Sequence, residues 1–252
     1  MIFKVSKIDD YVSVFKEEKI RLMDPQNSKE EPMKIALILS GCGQMDGSET
    51  HETLMTLLAL SEEKLEWMAF APDLPQKVVI NHATGKVDST SVRNILEESA
   101  RLTRGKIAPL SDLLVDLEQT KPSYQAIIIP GGYGAAIHLC DFKEKGFNFT
   151  FNPEVGQVFE RAKQLKLPMG FICIAPVMIP RIYPNATLTI GNDSTLIQQI
   201  EGLGCTHQRC SGTEIAIDSV NKVVSTPANM VSPTLDELHQ GIRALVKAIK
   251  NL

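Results

Sequence analysis

The sequence predicts an α/β fold, a single doubly wound and mostly parallel sheet sandwiched by helices. From residue 34 onward, short apolar runs of strand length alternate with stretches of helical periodicity. Several runs end in glycine-rich turns, which is typical of strands that lead into helices through tight loops. The 252 residues are enough to bury the core of one such domain.

The elements are predicted in chain order from these patterns. Strands are expected at residues 35–39, 66–71, 126–129 and 168–172, with shorter ones at 187–190, 214–218 and 223–225. A hairpin is expected around residues 78–87, and an extended segment near residue 107. Helices are expected at residues 46–61, 92–103, 153–167, 174–182 and 235–249. At the start of the first helix, Asp46 and Glu49 have the spacing of a capping box, and Ser48 is an alternative cap.

Residues 1–32 are predicted to be an appendage to the domain, which spans residues 33–252. Apolar residues recur in this segment at helical spacing, which indicates an amphipathic helix. Mitochondrial transit peptides avoid acidic residues, whereas this segment contains Asp9, Asp10, Glu17 and Glu18. The five cysteines include no CxxC pair, which argues against a disulfide framework. Together these observations predict a cytoplasmic protein.

The composition excludes several kinds of ligand. The net charge is −4 and the basic residues are scattered, so no nucleic-acid partner is expected. No apolar run approaches the roughly 20 residues that a membrane-spanning helix needs. The chain lacks the spacing of the dinucleotide fingerprint, of the phosphate-binding P-loop and of a zinc knuckle. We therefore predict a small-molecule ligand and no cofactor, metal, nucleic acid or membrane.

Cys173 is the first candidate for chemistry. It follows the apolar run 168–172 and precedes a helical stretch, so it is expected at a sharp turn beyond the carboxyl end of a buried strand. Such an elbow exposes the side chain and places backbone N–H groups beside it, which favours a thiolate and any oxyanion formed by its attack. The alternative is a small core residue, because free cysteine is often buried.

Two further loops are expected beside Cys173. Gly131 and Gly132 follow the strand 126–129, where glycine either lets the backbone approach a ligand or makes a tight turn. Cys42 lies in the glycine-rich turn after the first strand. Because the carboxyl ends of parallel strands meet at one edge of a sheet, all three loops are predicted to converge on a crevice.

Glu52, one turn into the first helix, is the second candidate. A glutamate this close to the crevice is able to meet the sulfur of Cys173, and burial would favour the acid form, which donates a hydrogen bond to a thiolate. The alternative is a surface residue that compensates the helix dipole. The histidines, at positions 51, 82, 138, 207 and 239, show no spacing that identifies one as a catalytic partner.

Three segments together resemble a known family. They read GCGQMDGSETHE at residues 41–52, IPGGYGAA at 129–136 and GFICIAP at 170–176. Further matches, NHATG at 81–85, ARLTRG at 100–105 and STPA at 225–228, extend the similarity over about residues 34–252. The pattern is similar to the ElbB branch of the PfpI-like superfamily, which shares a flavodoxin-like fold with the class I glutamine amidotransferases.

The resemblance implies roles for four residues. Cys173 matches the elbow cysteine, and Glu52 matches the glutamate that hydrogen-bonds to it. The backbone N–H groups of Gly132 and Ile174 match the oxyanion hole. The resemblance also implies a homodimer and a weak, cofactor-independent glyoxalase activity on glyoxal and related small aldehydes, with protein deglycation and isoprenoid biosynthesis as associated labels.

The chain departs from the superfamily pattern in its histidines. Many members carry a histidine directly after the cysteine or further downstream, whereas Ile174 follows Cys173 here and residues 191–193 read Gly-Asn-Asp. Neither His207 nor His239 supplies the His-x-Glu that the amidotransferases use. The sequence therefore favours slow conversion of aldehydes to hydroxy acids. Two alternatives stay open: a redox or stress sensor whose Cys173 is oxidised, with Cys42 as resolving thiol, and an amidotransferase-like subunit linked to isoprenoid biosynthesis.

Overall fold

The computed structural model of the chain describes residues 32–231 and 233–252, which form a main sheet of seven strands and two small two-stranded sheets. The strands are, in chain order, β1 (Lys34–Ile38), β2 (Glu66–Ala71), β3 (Ile80–Asn81), β4 (Lys86–Val87), β5 (Ile107–Pro109), β6 (Ala126–Ile129), β7 (Met169–Ile172), β8 (Thr187–Leu188), β9 (Thr206–His207), β10 (Ala216–Asp218) and β11 (Val223–Thr226). The main sheet has the order β10-β11-β7-β6-β1-β2-β5, and β10 alone runs antiparallel to its neighbour. The predicted α/β fold is confirmed.

Eight α-helices lie in the described part of the chain. They are α1 (Thr50–Glu62), α2 (Ile95–Thr103), α3 (Leu110–Leu117), α4 (Phe142–Lys145), α5 (Pro153–Gln164), α6 (Ile179–Ile182), α7 (Ser194–Gly202) and α8 (Leu235–Lys250). Helices α1 and α8 pack against each other, and α3 packs against α5. The sheet is thus flanked by helices, and none of the helices described is long and apolar enough to cross a bilayer.

The central strands are buried along their whole length. All four residues of β6 (Ala126–Ile129) are inaccessible to solvent, and so are those of β7. Such unbroken apolar runs are expected where helices cover both faces of a parallel sheet. Gly170 in β7 allows α8 to approach closely, because a Cβ at this position would lie 2.8 Å from Cδ2 of Leu245.

The first helix begins later than predicted. Helix α1 starts at Thr50, and Glu49 is its N-cap, with a carboxylate that accepts the N–H of Glu52 at 2.7 Å. Asp46 is instead fully buried and accepts the N–H of Ile80 at 2.6 Å. The predicted Asp46–Glu49 capping box is therefore wrong, because Asp46 ties its loop to the distant β3 rather than to α1.

Helices α3, α4 and α7 were not predicted, and neither was a π-helix at Ala135–Leu139. Helix α3 has only 8 residues and follows β5 at Pro109 without a loop. Its apolar residues therefore continue the apolar pattern of the preceding strand, and the sequence shows no boundary between the two elements. Helix α7, of 9 residues, begins where Asp193 accepts the N–H groups of Thr195 and Leu196. The predicted appendage over residues 1–32 lies outside the described residues, except for Pro32.

Candidate active site

Cys173 lies at the turn that follows β7. Its φ of +63° falls in the left-handed region, which costs energy for a residue other than glycine and is typical of functional turns. Its N–H donates to the carbonyl of Thr226 at 3.0 Å, and a 3₁₀-helix begins two residues later at Ala175. The residue is only 8% exposed, so the expected exposure of the cysteine at the elbow is wrong and Cys173 is buried. The structure thus places Cys173 at a sharp strand-to-helix elbow, in the position that the sequence indicated.

Glu52 is fully buried beside this elbow. Its Oε2 accepts the N–H of Gly131 at 3.0 Å, and its Oε1 accepts the side-chain amide of Asn229 at 2.9 Å and the backbone N–H of Asn229 at 3.4 Å. The carboxyl group is within hydrogen-bonding reach of the Cys173 thiol. A buried carboxyl with donors on both oxygens has one fixed orientation, so Glu52 is held facing the sulfur.

The backbone N–H groups of Gly132 and Ile174 lie close enough to the sulfur of Cys173 to lower the pKa of its thiol. Gly132 has a φ of +92°, and a Cβ there would collide with the carbonyl oxygen of Gly47. The sequence reasoning therefore named four groups, on Cys173, Glu52, Gly132 and Ile174, that the structure brings together.

Backbone hydrogen bonds join the loop after β6 to the loop before α1. Glu49 N–H donates to the carbonyl of Gly131 at 2.9 Å, Tyr133 N–H to Gln44 at 2.7 Å, and Gly134 N–H to Gly47 at 3.0 Å. These bonds fix the N–H of Gly132 relative to the first turn of α1, where Glu52 lies.

The electrostatics of Glu52 and Cys173 are coupled. Burial, with a further contribution from the negative charge of Glu49, raises the pKa of Glu52 to about 7. Burial and the negative charge of Glu52 raise the pKa of the Cys173 thiol, while the N–H groups of Gly132 and Ile174 act in the opposite direction. When Glu52 is protonated, its charge no longer opposes the thiolate and its O–H is able to donate to the sulfur. Above a pH of about 7 the pair therefore carries one negative charge and shares one proton.

A cavity of about 460 Å³ opens over the sulfur. Its lining residues are Gln44, Glu49, Gly132, Tyr133, Ala136, Phe142, Lys143, Cys173, Ile174, Asp193, Thr195, Leu196, Asn229 and Met230. Lys143 Nζ lies 4.4 Å from the centroid of the Tyr133 ring. The cavity can admit a small organic molecule with an apolar part, and no group of three or more His, Cys, Asp and Glu side chains suited to a metal occurs in the described part of the chain.

No histidine in the described part of the chain lines this cavity. His51 is exposed, with Nδ1 3.6 Å from Glu49 Oε1. His82 and His138 both lie against Asp46, and burial lowers the pKa of His138 to about 4. Nothing in the geometry assigns one of them to the sulfur.

Asp193 lines the cavity, but its carboxylate caps α7. The thiol of Cys42 lies near the charged side chains of Glu98 and Arg101 on α2. The charged group beside the thiol of Cys173 is the carboxyl group of Glu52. Cys42 thus lies on a neighbouring loop as predicted, and burial raises the pKa of its thiol, which disfavours the reactive thiolate.

Glu49 and Asn229 are parts of the site that the sequence reasoning missed. Glu49 was assigned only a capping role, and Asn229 was not considered. A signal for Asn229 was available, because it follows β11 by three residues and the carboxyl ends of parallel strands converge on the ligand crevice.

Replacing Gly131 with alanine is expected to lower the free energy of unfolding by about 1–3 kcal/mol, the usual cost of overpacking. A Cβ at this position would collide with Cβ of Cys173 and Oε2 of Glu52. Urea unfolding measures the effect, with Gly202→Ala as the matched control, because a Cβ at Gly202 meets no atom within 4 Å. Equal free energies of unfolding for Gly131→Ala and the wild type would show that the side chains of Cys173 and Glu52 can move aside without loss of stability.

Comparison with known proteins gives the same fold and close relatives. The chain is 38% identical over 228 residues to the mitochondrial ES1 protein homolog of Rattus norvegicus, covering 87% of this chain and 84% of the relative. It is 37% identical over 228 residues to the human mitochondrial glutamine amidotransferase-like class 1 domain-containing protein 3, covering 87% and 83%. The chain matches no family model.

Among solved structures, the chain is similar to an isoprenoid biosynthesis protein with amidotransferase-like domain from Ehrlichia chaffeensis. The TM-score is 0.76 at 29% identity, over 87% of this chain and 99% of the other. DJ-1beta of Drosophila melanogaster has a TM-score of 0.51 at 10% identity, over 88% and 95% of the two chains, and shows the fold alone.

The names of the relatives contradict the predicted cytoplasmic location. The proteins from Rattus norvegicus, Homo sapiens and Danio rerio are all named as mitochondrial. The prediction was wrong because unpaired cysteines indicate a reducing environment, which is not specific to the cytoplasm.

Proposed function

Because the chain belongs to the ES1 family of class I glutamine amidotransferase-like proteins, within the PfpI-like superfamily, we propose that it is a glyoxalase-type enzyme with Cys173 as its nucleophile. Its substrates are glyoxal and related small reactive aldehydes, and its products are hydroxy acids. The observation that carries the proposal is the Cys173 thiol at the cavity, with buried Glu52 on one side and the N–H groups of Gly132 and Ile174 near the sulfur. This arrangement suits attack on a carbonyl carbon.

The first step is addition to one aldehyde. The thiolate of Cys173 forms a C–S bond, and the electrons of the C=O bond move to the oxygen, which becomes an alkoxide. The N–H groups of Gly132 and Ile174 stabilise this charge. The proton shared with Glu52 then neutralises the alkoxide, so the step needs no histidine.

The second step moves hydrogen between the two carbons of glyoxal. Glu52, now ionised, removes the proton from the carbon bonded to sulfur, and an enediolate forms with its charge on the neighbouring oxygen. The hydroxyl proton then passes from the oxygen on the sulfur-bearing carbon to that neighbouring oxygen. Protonation of the neighbouring carbon by the same carboxyl gives a glycolyl thioester. One carbon is oxidised and the other is reduced, so no external oxidant is required. Water hydrolyses the thioester to glycolate and restores the thiol.

Two further features of the proposal rest on relatives and resemblance. A mitochondrial location is proposed from the names of the relatives. A homodimer and a deglycase-like activity are proposed from the resemblance to the superfamily. A glutaminase function has less support, since no histidine among the described residues lines the cavity.

The test is formation of glycolate from glyoxal by the purified protein, followed by proton NMR without added glutathione or metal. The control is N-acetylcysteine at the same concentration, which reports the chemistry of a free thiol. We expect a rate above this control that rises with pH through about 7, because the pair of Glu52 and Cys173 then loses the proton that blocks the thiolate. A rate equal to that of the free thiol would overturn the proposed enzyme.

A further inference from the structure

We infer that Asn229 is a positioning residue that fixes which oxygen of Glu52 carries the proton, so that this proton faces the sulfur of Cys173. The inference goes beyond the proposed function, because it concerns the thiol itself and holds for any reaction of Cys173, aldehyde chemistry or oxidation.

The two oxygens of Glu52 have different partners. Oε1 accepts two donors from Asn229, its side-chain amide at 2.9 Å and its backbone N–H at 3.4 Å. Oε2 accepts one donor, the N–H of Gly131 at 3.0 Å. A carboxyl oxygen that carries a proton has room for only one further donor. Neutral Glu52 is therefore protonated at Oε2.

The position of Gly131 shows which way this proton points. A Cβ at Gly131 would collide with both Cβ of Cys173 and Oε2 of Glu52, so Oε2 is the oxygen next to the cysteine. With the N–H of Gly131 on one side of Oε2, the O–H is directed toward the sulfur. Asn229 thus acts on the thiolate through Glu52.

Glu49 explains why an amide is suited to this place. The Nδ2 of Asn229 also lies 3.4 Å from Oε2 of Glu49, so one NH₂ group lies between two carboxyl groups. The opposite orientation of the amide would put its oxygen against both carboxyls and remove this donor from each of them. The titratable groups beside this position are Glu49, Glu52 and Cys173, with His51 behind Glu49 at 3.6 Å, and Lys143 and Asp193 line the same cavity as Asn229.

The backbone before Asn229 supports a fixed role. Ala228 has a φ of +45°, in the left-handed region, and begins a 3₁₀-helix that ends at Val231. Strain of this kind persists only where surrounding contacts over-determine the conformation. It directs the N–H of Asn229 at the same oxygen that its side chain binds.

The test is the pH dependence of alkylation of Cys173 by iodoacetamide, measured on the Cys173 peptide by mass spectrometry in the full-length protein. In Asn229→Asp the donor becomes an acceptor beside two carboxyls, and we expect the midpoint to rise by about one pH unit or more. Asn229→Ala removes the donor without adding charge, and its midpoint is also expected to rise. The control is Asn148→Asp, an exposed position where the same charge is added, which should titrate like the wild type.

Unshifted midpoints in both Asn229 variants would overturn the inference, as would an equal shift in Asn148→Asp. Circular dichroism spectra establish that each variant is folded. Since the readout is alkylation, a protein that forms no glycolate but shows these shifts would remove the proposed enzyme and leave the role of Asn229 intact.

Discussion

Replacing Cys173 with alanine is expected to reduce glycolate formation to the rate in buffer alone. The variant has no atom able to form the C–S bond, and the remaining groups of the site have no nucleophile to assist. The fold should persist, because alanine fits at φ +63° at the same cost as cysteine and only one buried atom is lost. Proton NMR of glyoxal solutions with equal amounts of each protein measures the difference.

The matched control is Cys42→Ala. Cys42 lies on a neighbouring loop and is more exposed than Cys173, but its thiol lies near Glu98 and Arg101. We expect this variant to retain the wild-type rate. A Cys173→Ala variant that still forms glycolate would contradict the mechanism, and a loss of activity in Cys42→Ala would instead favour the redox alternative, in which both thiols take part.

Replacing Glu52 with glutamine is expected to lower the rate of glycolate formation by about two orders of magnitude or more, the usual contribution of a general acid and base. The amide oxygen can still accept the two donors of Asn229, and the amide NH₂ then lies toward the sulfur, where the N–H of Gly131 loses its acceptor. It donates to a thiolate as protonated Glu52 does, but it cannot take a proton from carbon. The variant should therefore still be alkylated by iodoacetamide at neutral pH while its turnover fails.

Glu62→Gln is the control for this change, since Glu62 is the last residue of α1 and pairs with His239 and Arg243, away from the sulfur. It should form glycolate at the wild-type rate. If Glu52→Gln keeps full activity, Glu52 is not the base. If alkylation and turnover fall together, Glu52 acts only by favouring the thiolate.

The parts of the fold that follow from short-range pattern could be predicted from the sequence. The buried strands β1, β6 and β7 are continuous apolar runs, and each ends where glycine or Cys173 begins a turn. The convergence of these turns follows from the parallel arrangement alone. The elbow at Cys173 and the position of Glu52 beside it could therefore be predicted from the sequence.

Contacts between residues that are far apart in the sequence could not be predicted in the same way. Asp46 has the spacing of a cap, yet its partner is Ile80, 34 positions away. Asn229 and Glu52 are 177 positions apart, and no local pattern connects them. Burial of Glu52 likewise depends on this contact and on Gly131, so its raised pKa was expected only as a conditional outcome.

The backbone hydrogen bonds between the loop after β6 and the loop before α1 allow the cavity wall to vary while the oxyanion-binding N–H of Gly132 stays in place. The N–H of Tyr133 donates a hydrogen bond to the carbonyl of Gln44, and the same two residues line the cavity. Substitutions at Gln44 and Tyr133 can thus alter the shape and polarity of the wall that a substrate meets, while the main-chain atoms keep the N–H of Gly132 in place. Divergent members of such a lineage could accept different carbonyl compounds and retain the same reactive centre.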